Sequence, residues 1–360
     1  VPTELAHIVE AEFARVGAPS PAFGVGHDSW VDFMGHAMLA HGSDAMKRDI
    51  LPRLLRGEYG QGVLFYSEPG AGSDLAGLQT RAERDGDGYR ISGQKIWSSG
   101  AYTADWGMLI ARTNWDVPKH RGISYFFFPV RENGRLLPGI DIRPIKQING
   151  DTHFNEVFFT DAWVPAANLV GEENEGWRVL QTALTYERIA MGKIFRDREV
   201  LDEAPVMTGA ADLIAAARAG HRNGDPLVRQ EIARLHSWRL VQAWNTQRAA
   251  DEQKAGGSSS LASLNKLANS RILHSVGSYL RRMSGPRALL YDYDPPQERT
   301  TANAITMGAF VNSIGGGSDQ IQRNIIGERI LGLPKGIEPD RDVPFRDARK
   351  GVAVRKFSAS

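Results

Sequence analysis

The spacing of hydrophobic residues changes twice along the chain. Near the start they recur every three or four positions: Leu5, Ile8, Val9, Phe13 and Val16, then Met46, Ile50, Leu51, Leu54 and Leu55. That period predicts helices. Ser43-Asp44 offers an N-cap for the second helix, and Gly57 a stop. From about Val63 to Val170 the pattern alternates and turn residues are dense. Asp85-Gly86-Asp87-Gly88, between residues 80–83 and 89–92, predicts a hairpin. Residues 107–111, 123–128 and 155–159 predict further strands of a compact antiparallel domain. After Glu175-Gly176-Trp177 the helical period returns: Val179, Leu180, Ala183 and Leu184; Val228, Ile232, Leu235 and Trp238; Leu261, Leu264, Ala268, Ile272, Val276 and Leu280. These stripes predict a helix bundle. Gly256-Gly257-Ser258-Ser259-Ser260 predicts a flexible loop within it. The reading is α+β and multidomain, with a helical domain over 1–63, a β domain over 64–172, and a helical domain with a tail over 173–360.

Composition narrows the classes. A chain of 360 residues exceeds what one core of ~250–300 residues holds. Lys+Arg 43 against Asp+Glu 42 gives +1, which disfavours nucleic acid as a partner. With Cys 0, disulfide and thiolate chemistry are excluded. The absence of Cys suits a cytoplasmic location, and no apolar run reaches the ~18–20 residues of a membrane span. Val1-Pro2-Thr3-Glu4 has neither initiator Met nor leader character, so the expectation is a processed or missing N-terminus. Several signatures come close and miss. Gly70-Ala71-Gly72 and Gly315-Gly316-Gly317 each lack the remainder of a dinucleotide fingerprint. Gly88–Lys95 is a broken P-loop, and there is no G-x-S-x-G elbow. The nine His show no H-x-x-x-H pair, so no metal is expected, and His36 and His41 are expected near a helix junction.

Two segments carry chemistry. Leu64-Phe65-Tyr66-Ser67-Glu68-Pro69-Gly70-Ala71-Gly72-Ser73-Asp74 reads as a strand entering a Gly/Pro turn. Such a turn presents backbone N–H groups and the Ser67 and Ser73 hydroxyls to an anion, and equally reads as a plain tight turn. In Gly93-Gln94-Lys95-Ile96-Trp97-Ser98-Ser99-Gly100 an aromatic plane sits beside hydroxyls, which suits a flat heteroaromatic ring. The alternative is a core Trp closing a strand.

Together these segments resemble the acyl-CoA dehydrogenase family, whose [ST]-E-P-x-x-G-S-D loop and K-x-W strand line the flavin. Three further stretches match in order: Phe158–Gly171, Glu175–Ala190 and Gly316–Ile326, so the resemblance runs from about residue 5 to about 335. It implies an N-terminal α-helical domain, a central antiparallel β-barrel and a C-terminal four-helix bundle. It also implies FAD held by Phe65, Ser67, Gly72, Ser73, Trp97, Ser98, Ser99, Ser318 and Gln320, and an acyl-CoA held by Ser73, Arg188 and Gly316. Glu68 is expected to satisfy backbone groups rather than act as a base.

The implied reaction is α,β-dehydrogenation of the thioester to a trans-2-enoyl-CoA, a carboxylate taking the α-proton and flavin N5 the β-hydride. One branch of the family carries that Glu just before the closing helix, where this chain has Gly316; the branch like isovaleryl-CoA and long-chain dehydrogenases carries it on the first C-terminal helix, at the position of Glu187. Glu187 is therefore the expected base, with Asp319 facing elsewhere. Gln320 replaces a carboxylate of the family pattern. The segments expected to reach a neighbouring subunit's FAD are also altered, to Asp225–Arg229 and Met283–Arg287. The resemblance further implies a homo-oligomer (dimer or tetramer) or a hetero-oligomer with a paralogue. The expected electron acceptor is electron-transfer flavoprotein or similar, and the expected location the cytoplasm or mitochondrial matrix, the former favoured. The expected substrate is branched, long or ring-bearing. A catalytically silent subunit and a flavin oxidase or monooxygenase are the alternatives on the same fold.

Overall fold

Helix α1 spans Asp28–His41 and buries Met34, Ala37 and Met38, spaced for one helical face. His36 lies inside α1 and His41 closes it, so the two do not flank a junction. The Ser43 hydroxyl accepts from the Met46 amide at 3.2 Å, as the cap reading required. A wide turn over Met46–Ile50 leads into α2, Leu51–Leu55, and the chain leaves it at Gly57 with φ +79°. The computed structural model describes residues 28–187, 209–255, 261–289, 302–336, 338 and 340–348. The helix expected over Leu5–Val16 and the loop 256–260 lie outside them. Two compact units result: residues 1–147, 151–187 and 338–360 form one, and residues 148–150 and 188–337 the other.

Among the described residues the first unit has nine strands: β1 Gly62–Phe65, β2 Arg81–Asp85, β3 Gly88–Lys95, β4 Trp106–Arg112, β5 Ile123–Pro129, β6 Arg131–Glu132, β7 Arg135–Leu136, β8 Ile140–Pro144 and β9 Asn155–Pro165. The predicted hairpin is present, with Asp85 opposite Gly88 and Gly86 at φ +60°. Six strands run in the order β1-β4-β2-β3-β9-β8, with β5 on the other side of β4, and β6 pairs with β7 separately. The sheet is largely antiparallel, but β1 pairs parallel with β4, as does one residue pair of β2. β4 is buried at every residue and β5 at all but its last, which explains why both read as unbroken apolar runs. Val63, Phe65, Leu109, Ala111, Phe126 and Phe128 share one core with Tyr89, Ile91, Val157 and Phe159. Strand alternation turns Leu64, Met108, Ile110, Tyr125 and Phe127 to the opposite face.

That opposite face is covered by helices. Residues 176–187 form α3, which buries Val179, Leu180 and Ala183. α3 meets α1 where His41 Nε2 and Thr182 Oγ1 lie 2.8 Å apart and where His36 stacks on Tyr186 at 3.8 Å and 9°. Its first residue, Gly176, lies against the backbone of Ser124 and Tyr125, and a Cβ there would fall 2.5 Å from the Ser124 carbonyl carbon.

The second unit is helical: α4 Ala210–Ala219, α5 Pro226–Lys254, α6 Leu261–Ser284, α7 Ala302–Ile314 and α8 Asp319–Ile325. Its core joins Leu213, Val228, Leu235, Ile272, Val276, Leu280 and Ile305, mostly from the predicted stripes. Leu264 departs from its stripe and is 37% exposed. Gly277 lets α6 approach α7, since a Cβ would meet Thr306 Oγ1 at 2.8 Å. Among the described residues no helix is long and apolar enough to cross a membrane.

Gly176→Ala forces a methyl into the β5 backbone and is expected to destabilise the protein by about 1–3 kcal/mol in urea unfolding. An unchanged midpoint contradicts the close approach.

Candidate active site

The loop after β1 and the segment after β3, far apart in sequence, are joined by one side chain. Lys95, the last residue of β3, is fully buried, and its ammonium donates to the Tyr66 carbonyl at 3.0 Å and to Glu68 Oε1 at 2.9 Å. Glu68 also accepts from the amides of Gln79 at 2.6 Å and Thr80 at 2.8 Å. Glu68 and Ala71 exchange backbone hydrogen bonds of 2.9 and 3.0 Å, so the Pro69-Gly70 turn is closed as well as anchored. Burial works to raise the Glu68 carboxyl; Lys95 and the amides outweigh it and hold it below the ordinary glutamate range. Next along the chain, the Ile96 amide donates to the Ser67 carbonyl at 2.9 Å.

Trp97 follows with φ +63°, a conformation unusual for a large side chain, and is 56% exposed. It is therefore not a core Trp; its ring meets Phe154 edge to face, with centroids 5.9 Å apart. Ser98 is buried, its hydroxyl has no hydrogen-bond partner among the described residues, and Ser67 and Ser99 are half-buried. Gly72 and Ser73 lie exposed on the turn, and a Cβ at Gly70 or Gly72 would meet nothing within 4 Å. Phe65 points away from this surface: its ring is enclosed by Phe128 and Phe159 in the sheet core. The Phe65 side chain therefore has a packing role in the core.

The far end of the loop is held by Arg112, which sequence reading passed over. Its guanidinium is fully buried and donates to the carbonyls of Ala76 at 2.6 Å, Leu78 at 3.1 Å and Lys119 at 3.1 Å. Phe345, from the end of the chain, lies 3.5 Å over it. Burial pulls Arg112 down to about 10 against the opposing charges of Glu68 and Asp74. Lys119 in turn pairs with Asp74 at 2.9 Å and Glu338 at 2.6 Å. Beside this loop an open cleft of about 690 Å³ is lined by Asn114, His120, Arg121, Trp177 and Arg178, among others.

Glu187 is half-buried on α3. Its charge acts on two buried phenols, Tyr66 at the end of β1 and Tyr125 on β5, adding to burial in raising both. Arg188 lies outside the described residues. In the second unit, Gly316 and Gly317 adopt φ +60° and +86°, and Ser318 caps α8, accepting from the Ile321 amide. Lys266 holds this loop through the Gly317 carbonyl at 2.6 Å. Asp319 accepts from Ser270 at 2.7 Å and lies 3.6 Å from Lys266, while Gln320 is exposed.

Removing one member of the buried pair strands the other. Glu68→Gln is expected to cost about 3–5 kcal/mol in chemical denaturation. Because the folded carboxyl titrates below its unfolded value, its contribution is complete above the ordinary glutamate range and is lost as pH falls through the folded value. The variant should therefore show a flatter loss of stability on acidification. A loss as steep as that of the wild type contradicts this assignment.

Comparison with known proteins agrees with this construction. Residues 64–162 match the acyl-CoA dehydrogenase middle domain and residues 174–331 the C-terminal domain. Acyl-CoA dehydrogenase IpdE1 of Mycobacterium tuberculosis is 35% identical over 330 residues, covering 90% of this chain and 79% of that protein. Acyl-CoA dehydrogenase FadE34 of the same organism is 33% identical over 328 residues; this is 91% of the chain but spans only 42% of that longer relative. The Tcur3481-Tcur3483 steroid ACAD structure superposes with a TM-score of 0.75 at 28% identity, covering 91% of this chain and 81% of that one. Family-model matches over most of its length, with relatives above 30% identity, make this chain a member of the acyl-CoA dehydrogenases, a family of FAD-containing oxidoreductases acting on CH–CH bonds.

Proposed function

We propose that this chain binds FAD against the Ser67–Ser73 loop and the Trp97–Ser99 segment and dehydrogenates an acyl-CoA thioester, with Glu187 removing the α-proton. The observation that carries the reading is the place of Glu187: half-buried on α3, with its charge reaching the buried Tyr66, the residue before Ser67. Glu68 is taken up by Lys95 and two amides, and Asp319 by Ser270 and Lys266. The φ of +60° at Gly316 also disfavours a side-chain-bearing base there.

The residues present fit a flavin. Trp97 supplies an exposed plane, Ser98 a buried hydroxyl with no hydrogen-bond partner among the described residues, and Gly70 and Gly72 open backbone on the turn. FAD, when bound, supplies the acceptor for the hydride that leaves the β-carbon. The protein's own tasks are to orient that ring, hold the thioester and place a base over its α-carbon. The cleft lined by Arg121, Arg178 and Trp177 suits the anionic, aromatic end of CoA, and it adjoins the loop bearing Ser73 through the Asp74–Lys119 pair. Likeness to a structure named as a steroid ACAD supports a bulky, ring-bearing acyl group, in keeping with the glycines at 315–317. Exposed Leu240, Val241 and Trp244 on α5, and Phe310, Val311 and Ile314 on α7, support assembly into an oligomer.

The purified protein should be yellow and should bleach anaerobically with a ring-bearing acyl-CoA. Glu187→Gln is expected to keep its flavin and to reduce it at least about 10³-fold more slowly in stopped-flow absorbance. Unchanged reduction kinetics contradict Glu187 as the base.

A further inference from the structure

β3 and β9 lie antiparallel, with Gly93 opposite Phe159, Gln94 opposite Phe158 and Lys95 opposite Val157. Two more steps of that ladder would set Trp97 opposite Asn155, the first residue of β9. The chain departs from the ladder instead. The Ile96 amide turns to the Ser67 carbonyl, and Trp97 adopts φ +63°. Asn155 catches the next residue on both sides. The Ser98 amide donates to the Asn155 carbonyl at 3.1 Å, and Asn155 Nδ2 donates back to the Ser98 carbonyl at 2.9 Å. The same Nδ2 donates to the His153 carbonyl at 2.9 Å, which also accepts from the Gly100 amide at 2.8 Å.

Asn155 is fully buried. Both partners of its side-chain nitrogen are carbonyls, which fixes the orientation of the carboxamide. Its Oδ1 has no hydrogen-bond partner among the described residues. Leucine would fill a position of this size with no polar atom to satisfy, so packing alone does not account for the residue. The carboxamide ties residue 98 to the start of β9, directly after a tryptophan in a conformation that is costly for a bulky side chain. Such a conformation persists only where its surroundings over-determine it. Here Ile96 is held by Ser67 and Ser98 by Asn155, and the Trp97 side chain between them stands exposed.

We propose that Asn155 is a positioning residue for the flavin platform: its carboxamide, bonded to the Ser98 carbonyl, keeps Trp97 in the left-handed conformation that presents the indole to FAD. The inference rests on FAD lying against the Trp97–Ser99 segment. Without the clamp, Trp97 relaxes to ordinary backbone angles, and part of the binding energy of the flavin goes into restoring its place.

The test is a double-mutant cycle read by FAD titration of the apoprotein, with urea unfolding of each variant. Asn155→Leu removes the carboxamide, and the two carbonyls it bonded keep backbone donors at Gly100 and Ala101. Trp97→Gly removes the ring and suits a positive φ. Asn155→Leu is expected to weaken FAD binding about tenfold, the population penalty of one left-handed residue, in a protein that still unfolds cooperatively. On the Trp97→Gly background the same change is expected to cost less than about twofold, because no ring is left to aim. Asn155→Ala gives the same comparison should the leucine variant fail to fold. Wild-type affinity in a folded Asn155 variant overturns the proposal. So does an equal loss on the Trp97→Gly background, which a merely structural residue would give. Wild-type affinity in Trp97→Gly itself sinks the placement of FAD instead, and with it the role of Asn155.

Discussion

A lysine ammonium without access to solvent holds two distant pieces of this chain in one place. Lys95 ends a strand, yet its charge is spent inside the protein, on the carbonyl of Tyr66 and the carboxylate of Glu68. A buried ion pair of this kind does little for net stability compared with an apolar core. What it contributes is geometry. The glycine turn that begins at Glu68 and the Trp97 segment that follows Lys95 are fixed relative to one another, and Arg112 clamps the far side of the loop by its carbonyls. Glu68, which by residue type is a candidate acid or base, is thereby made a structural anchor.

The sheet divides the labour between its two faces. One face is closed by phenylalanines and aliphatic residues and serves as the core of the first unit. The other receives α1 and α3, and the close approach at Gly176 sets where α3 starts on β5. Eleven residues later that helix presents Glu187, with a reach of roughly 16 Å fixed by the helical rise. The position of the proposed base thus follows from a glycine at one end of a helix and from the His36 and His41 contacts along it.

Much of this was legible in the sequence, for identifiable reasons. The Asp85–Gly88 turn specified its hairpin locally, and the double-sided burial of β4 and β5 produced the apolar runs that marked them. Motif spacing carried the family, and with it the closeness of the Ser67 and Trp97 segments. What stayed hidden depends on partners distant in sequence. Alternation does not say which strand pairs with which, so the parallel β1–β4 contact was invisible. Nothing local in the sequence marks Lys95 and Arg112 as buried, because their partners come from other loops, and in Arg112's case also from Phe345. The burial of the Phe65 ring in the core follows from strand parity, which the motif alone does not give.

The account stands on Lys95 and Glu68 building the surface proposed for the flavin. The direct measurement is FAD affinity, by titration of apoprotein, in wild type and in the Lys95→Met/Glu68→Gln double variant, which buries no unpaired charge. The prediction is a folded double variant, by circular dichroism, that binds FAD at least about tenfold more weakly, because the Tyr66 carbonyl and the glycine turn have lost their common anchor. A folded double variant with wild-type FAD affinity contradicts the account.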